Sequence, residues 1–215
     1  MVHSWKDWSS SQGPSSTSLD RWTDGLVEPH LPKTPSRILD VGCGSALLIE
    51  KLRGLGHDAW GVDINAPEHP FIIRANMERP PDLSKNPFDL VFCFETLEHI
   101  IHDYDALAAI HSWLKPGGKL ILSTPNEKGG EDYHLHIRHY MAWSLKRLLD
   151  YAGFIDIEVS VNPENQASLL VKASKELLEQ CPMCGDNVSN MNEHFMSCPA
   201  YSTSLAPKSD NRKEE

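Results

Sequence analysis

Apolar positions along the chain follow two alternating periods. Short runs rich in β-branched and aromatic residues fall at 38–41, 58–63, 71–75, 88–94 and 119–124. Several are apolar at consecutive positions, as strands covered on both faces are. Helical spacing appears between them: Leu47, Leu48, Leu52 and Leu55 after the first run, then Leu107, Ile110 and Leu114 within 101–114, then Leu145, Leu148 and Leu149 within 141–152. Pro80, Pro81 and Pro87 preclude a long helix between the third and fourth strands. Lys115-Pro-Gly-Gly118 stops the helix over 101–114, and Gly153 stops the one over 141–152. Two last strands, 154–161 and 167–173, flank the turn Asn162-Pro-Glu-Asn165. This alternation, closing on an antiparallel pair, specifies an α/β fold with a doubly wound, mostly parallel sheet.

The flanks differ in composition. Residues 1–35 are rich in Ser, Trp and Pro, with loop expected over 9–18 and a short helix around 19–27. Two readings stand: a lid that uses Trp5, Trp8 and Trp22, or an arm that packs them on the body. The last 15 residues, 201–215, read as a disordered tail. A net charge of −10 disfavours non-specific binding to nucleic acid or an anionic membrane. No apolar run reaches the ~20 residues that span a bilayer, and the N-terminus lacks a signal pattern. A cytoplasmic protein is expected, with no membrane and no DNA partner.

Chemistry concentrates first at Ile38-Leu-Asp-Val-Gly-Cys-Gly44. A strand delivers Asp40 and two glycines into a turn that opens a helix, as in a cofactor cradle where a Cβ would block the ligand. The second strand ends on Asp63, where dinucleotide-type folds place a carboxylate for ribose hydroxyls. Cys43 and Cys93 read as small buried hydrophobes near strand ends.

These motifs, with Phe88-Asp-Leu-Val91, Glu95-Thr-Leu-Glu-His-Ile100, Leu114-Lys-Pro-Gly-Gly-Lys-Leu120 and Ala152-Gly-Phe154, resemble the class I S-adenosylmethionine-dependent methyltransferases over about residues 35–174. Ala46 replaces the usual third glycine. The resemblance implies a seven-stranded sheet over 36–174 and S-adenosylmethionine as cofactor. Asp40 and the turn through Gly42, Cys43 and Gly44 would then hold its methionine part, and Asp63, followed by Ile64, its ribose. Asn76 and Met77 stand where the family usually has an acidic residue near the adenine, and Phe94 would lie beside the sulfonium.

If the segment after the fourth strand is helical, Glu95, Glu98 and His99 converge past the sheet's carboxyl end. Two carboxylates and an imidazole repel or compete unless a cation joins them, which suits Mg²⁺, Mn²⁺ or Zn²⁺. A fourth ligand comes from His134-Leu-His136-Ile-Arg-His139, with His139 placed first and His136 second. This set is similar to the metal-dependent O-methyltransferases of ubiquinone biosynthesis and of small-RNA 3′-terminal 2′-O-methylation, in which an E-x-x-E-H segment binds the ion. The ion would lower the pKa of the acceptor hydroxyl. The metal-free alternative uses His99 as general base.

Residues 174–180 read as a short helical linker to a small domain over 175–200. There Cys181, Cys184, His194 and Cys198 supply the four ligands of tetrahedral zinc, and zinc would stabilise a segment too small for its own core. It resembles the C2HC ubiquitin-binding fingers of repair ligases, with a shorter central gap. Few basic residues and the presence of Asp186 and Glu193 favour a protein partner or a purely structural role over phosphates.

Three functions stay open. The first is O-methylation of a small-molecule hydroxyl, which the acidity favours. The second is 2′-O-methylation of RNA, which the finger favours. The third is a non-catalytic adaptor that recruits a protein through its finger. The presence of Asp40, Gly42, Gly44, Asp63 and the Glu–His segment favours an enzyme over the adaptor.

Overall fold

The computed structural model describes residues 25–127, 136–161, 167–181, 184–189, 194 and 197–198. The tryptophan-bearing arm, His134, the turn at 162–165 and the tail lie outside the described residues. The chain divides into two compact units, Met1–Lys175 and Glu176–Glu215.

In the first unit seven strands form one sheet: β1 (Arg37–Val41), β2 (Asp58–Asp63), β3 (Ile72–Arg74), β4 (Phe88–Phe94), β5 (Leu114–Pro125), β6 (Ile155–Val161) and β7 (Ser168–Ser174). Their order is β3-β2-β1-β4-β5-β7-β6. The first five pair in parallel, and β7 runs antiparallel to both β5 and β6. The helices are α1 (Leu47–Gly54), α2 (Asp103–Trp113) and α3 (Ala142–Tyr151). No helix among the described residues is long and apolar enough to cross a membrane.

Successive strand residues point to opposite faces, and both faces are covered. Ile38, Leu90, Phe92 and Ile121 join Ile49 and Leu52 of α1 in one core. Leu39, Val91, Cys93, Leu120 and Leu122 join Leu107, Ile110, Leu145 and Leu149 of α2 and α3 in the other. This is why the strands read as nearly continuous apolar runs. Cys43 and Cys93 are buried, as expected.

Three local expectations are corrected. The buried face of α1 is Ile49 and Leu52, whereas Leu47 and Leu55 are exposed. Ala46, left-handed at φ 71°, is the N-cap of this helix. Residues 115–118, expected as a loop before a strand, bulge inside β5: Leu114 faces Phe88 and Lys119 faces Leu90. Gly117 has φ 76°, and a Cβ on Gly118 would lie 2.9 Å from the Lys115 carbonyl oxygen. Residues 175–178 form no helix, and Glu179–Gln180 is already a strand (β8), antiparallel to β9 (Asn187–Val188). A run this short lies below a stable helical nucleus, and the hairpin claims its end.

Strand order reverses between β1 and β4. A crevice at the carboxyl ends of the strands is expected there, and the loops after β1, β2 and β4 meet in one.

Candidate functional site

The turn after β1 forms one wall of this cleft. Gly42 has φ 79°, and a Cβ on it would overlap the Thr96 hydroxyl. Gly44 has φ 51°, and a Cβ there would meet nothing within 4 Å, so its backbone borders open space. The Gly44 N–H donates to Asp63 Oδ2 at 3.0 Å and the Asn65 N–H to Oδ1 at 2.7 Å. Two backbone amides thus fix the carboxylate, and each oxygen keeps a lone pair for a ligand. Gly42, Gly44, Asp63, Ile64, Asn76 and Met77 all line the cleft, as do Glu95 and His99.

Other expected residues sit behind it. Asp40 is buried, and its pKa is pushed up to about 7 by burial and then by the nearby Asp63 charge. The Cys43 thiol packs in the core, where a Cβ on Gly61 would lie 2.6 Å from it, and burial raises its pKa. Phe94 packs against Phe92, with ring centroids 5.3 Å apart, and is not among the residues lining the cleft.

Two polar lining residues were missed from sequence. Thr96 donates its hydroxyl to the Phe94 carbonyl at 2.8 Å and fills the space beside Gly42. Glu78 accepts from the N–H groups of Ile101 (2.7 Å) and His102 (3.1 Å), and these bonds hold its pKa down against partial burial. The acidic residue sits one position beyond Met77, and only the fold brings it to loop 101–102.

Next to the cleft, Glu98, His99 and His136 bring one ligand atom each within 4.8 Å of one another. Glu98 Oε1 lies 3.8 Å from His99 Nε2 and 3.9 Å from His136 Nε2. That is a few tenths of an ångström wider than the roughly 3.4 Å between donors on a tetrahedral ion. Glu98 is 0% exposed, and Oε1 has no hydrogen-bond partner among the described residues. Burial, then the neighbouring Glu95, pushes its pKa up to about 8. Burial, then His99 and His139, pushes His136 down to about 4. An orphaned carboxylate oxygen facing two imidazoles is a donor set with room for a cation.

This cluster differs from the expected one. Only Leu97–His99 forms a helical turn, of 3-10 type, and Glu95 before it has φ 44°. The Glu95 carboxylate accepts from Ser123 Oγ at 2.8 Å and is not in the group. His136 replaces His139, which stands one layer out with Nε2 3.3 Å from His136 Nδ1. The 136–140 segment explains the exchange. The Ile137 N–H donates to the Glu98 carbonyl at 2.9 Å, Arg138 pairs with Asp103, and the Tyr140 hydroxyl donates to Asp103 Oδ2 at 2.9 Å. These contacts present His136 to Glu98.

In the second unit, Cys181, Cys184, His194 and Cys198 likewise place one ligand atom each within 4.8 Å of one another. Cys181 Sγ is 3.9 Å from Cys198 Sγ, and Cys184 Sγ is 3.2 Å from His194 Nε2. The β8–β9 hairpin makes the knuckle: the Gly185 N–H donates to the Cys181 carbonyl at 2.8 Å and the Cys181 N–H to the Asp186 carbonyl at 2.7 Å. None of the five cysteines is in a disulfide.

Comparison with known proteins bears on the family and the fold. A family model described as a methyltransferase domain matches residues 16–159. The ubiquinone biosynthesis O-methyltransferase of Nitrosococcus oceani is 31% identical over 145 residues, 52% of this chain and 61% of that protein. Its Cereibacter sphaeroides namesake is 28% identical over 204 residues, 86% of this chain and 79% of that protein. The chain spans less than two thirds of the length of most of these relatives, from 47% to 63% in several cases. Among solved structures, the Burkholderia thailandensis 1,6-didemethyltoxoflavin-N1-methyltransferase, with 1,6-didemethyltoxoflavin and S-adenosylhomocysteine bound, superposes with a TM-score of 0.58 at 22% identity. That match covers 79% of this chain and 86% of the other, and speaks to the fold alone.

Proposed function

The chain belongs to the methyltransferase-domain family, and on that premise we propose that it is an S-adenosylmethionine-dependent methyltransferase acting on a small-molecule hydroxyl with the help of a divalent ion. The observation that carries this reading is the position of His99. It lines the cleft that holds the open Gly44 backbone and the fixed Asp63 carboxylate, and it belongs to the Glu98–His99–His136 cluster. The names of the ubiquinone biosynthesis O-methyltransferases support oxygen as acceptor and a small molecule as its carrier.

S-adenosylmethionine supplies an electrophilic methyl group on sulfur. When it is bound, Asp63 would receive the ribose hydroxyls, the backbone turn through Gly42, Cys43 and Gly44 would hold the methionine end with Asp40 buried behind it, and Ile64, Asn76 and Met77 would lie toward the adenine. Mn²⁺ or Mg²⁺ at Glu98, His99 and His136 would acidify an acceptor hydroxyl. Glu95, in the cleft and tied to Ser123, would take the proton released. Orienting the two reactants can itself supply up to ~7–11 kcal/mol of the barrier.

For the second unit, the reading is a structural zinc ion on Cys181, Cys184, His194 and Cys198, in a finger that docks a protein. Three thiols and an imidazole match the donor preference of zinc.

Calorimetry with S-adenosylmethionine and S-adenosylhomocysteine tests the enzyme reading; binding of neither would end it. Glu98→Ala is expected to abolish turnover of a labelled methyl group while cofactor affinity stays within a few-fold. Full turnover in that variant, or in protein stripped of every ion, would exclude ion assistance.

A further inference from the structure

We propose that Thr124 is a positioning residue for the ion site, and that the adjacent Ser123 and Thr124 at the tip of β5 assign Glu95 and Glu98 to separate tasks. This rests on the ion-assisted reading above.

The argument begins with strand periodicity. Neighbouring residues on a strand face opposite ways. Ile121 lies in the core on the α1 side, whereas Leu120 and Leu122 lie in the core under α2 and α3. Ser123 continues the first face and Thr124 the second. Both are 0% exposed, so neither hydroxyl can satisfy itself with water.

Each hydroxyl therefore takes a different carboxylate. Ser123 Oγ donates to Glu95 Oε1 at 2.8 Å and lies 3.3 Å from the Glu95 N–H. Thr124 Oγ1 donates to Glu98 Oε2 at 3.0 Å. The Thr124 bond uses one oxygen of Glu98 and turns the other, Oε1, toward His99 and His136. A buried carboxylate without that donor is free to rotate and to spread its charge over two unpartnered oxygens. Outer partners of this kind fix the geometry of the inner ligand. Ser123, by the same logic, keeps Glu95 on the cleft side and out of the ligand set.

The test is a Mn²⁺ titration of the full chain followed by electron paramagnetic resonance, with the finger first loaded with zinc. Mn²⁺ competes poorly for thiolate sites, so the signal reports the Glu98 cluster. Thr124→Val keeps the shape and removes the donor, and is expected to weaken Mn²⁺ binding about 10- to 100-fold. Thr124→Ser should restore it, Ser123→Ala should not weaken it, and cofactor affinity should stay constant in the Thr124 variants. Circular dichroism checks folding; if the valine variant does not fold, Thr124→Ala against Thr124→Ser carries the comparison. Wild-type affinity in the variant lacking the hydroxyl, or equal loss in Thr124→Ser, overturns the positioning role alone. Absence of Mn²⁺ binding by the wild type overturns this inference together with the ion-assisted reading.

Discussion

At the scale of single residues, the cleft and the core behind it hold carboxylates in different states. Asp63 is fixed by the Gly44 and Asn65 amides, so its contribution is a directed acceptor. Asp63→Ala is expected to weaken S-adenosylmethionine binding roughly 10- to 100-fold, the loss of one or two hydrogen bonds to a charged group, as calorimetry would read. Asp40 is the opposite case, with burial raising its pKa to about 7 from an ordinary 3.8. Between those values the folded chain keeps a proton that the unfolded chain releases, so this group's stabilisation is complete below about pH 4 and is lost as pH rises through about 7. Thermal melts across that window should fall less steeply in Asp40→Asn than in the wild type; parallel curves would contradict the shift. Asp40 and Asp63 were legible in sequence as strand-end acids beside glycines. Their opposite environments were not, because Asp40 lies between Gly61 of β2 and Phe92 of β4, which are distant in the chain.

At the scale of elements, the bulge in β5 joins the helix-stopping sequence to the sheet. The Gly117 N–H donates to the Lys175 carbonyl at 3.1 Å and the Lys175 N–H to the Gly118 carbonyl at 2.9 Å, so the two glycines also anchor the end of the first unit. Gly118→Ala would press a methyl group on the Lys115 and Phe88 carbonyl oxygens, at 2.9 and 3.1 Å. A loss of about 1–3 kcal/mol is expected, measured by denaturant unfolding; no change would mean that the bulge gives way freely. Lys115-Pro-Gly-Gly118 read correctly as the end of a helix. Its place inside a strand was hidden because pairing with Phe88 and Leu90 is non-local, and residue type carries no record of it.

At the scale of the whole molecule, two units carry different kinds of stability. The first holds two apolar cores on the two faces of its sheet. The second has only a two-stranded hairpin and the Cys181–Cys184–His194–Cys198 cluster among its described residues, too little to fold without a cross-link. Cys198→Ser is therefore expected to abolish stoichiometric zinc retention and to open residues 176–200 to protease. Elemental analysis and limited proteolysis read both, and a full zinc complement in that variant would refute the ligand set.

The sequence by itself determined the order of strands and helices, the glycine turn with Asp40 and Asp63, and the spacing of four zinc-type ligands. Each is a local property: apolar period, turn chemistry, and ligand intervals along one short segment. Tertiary structure alone decided which carboxylate meets the histidines. Glu95 and Glu98 stand three apart, and helical spacing would have joined them. The left-handed Glu95 and the opposed faces of Ser123 and Thr124 separate them instead. It also chose His136 over His139, through the Ile137–Glu98 and Arg138–Asp103 contacts. The glycine turn was visible from the order of residues; the cluster beside it exists only because β4, β5 and the 136–140 segment end at the same place.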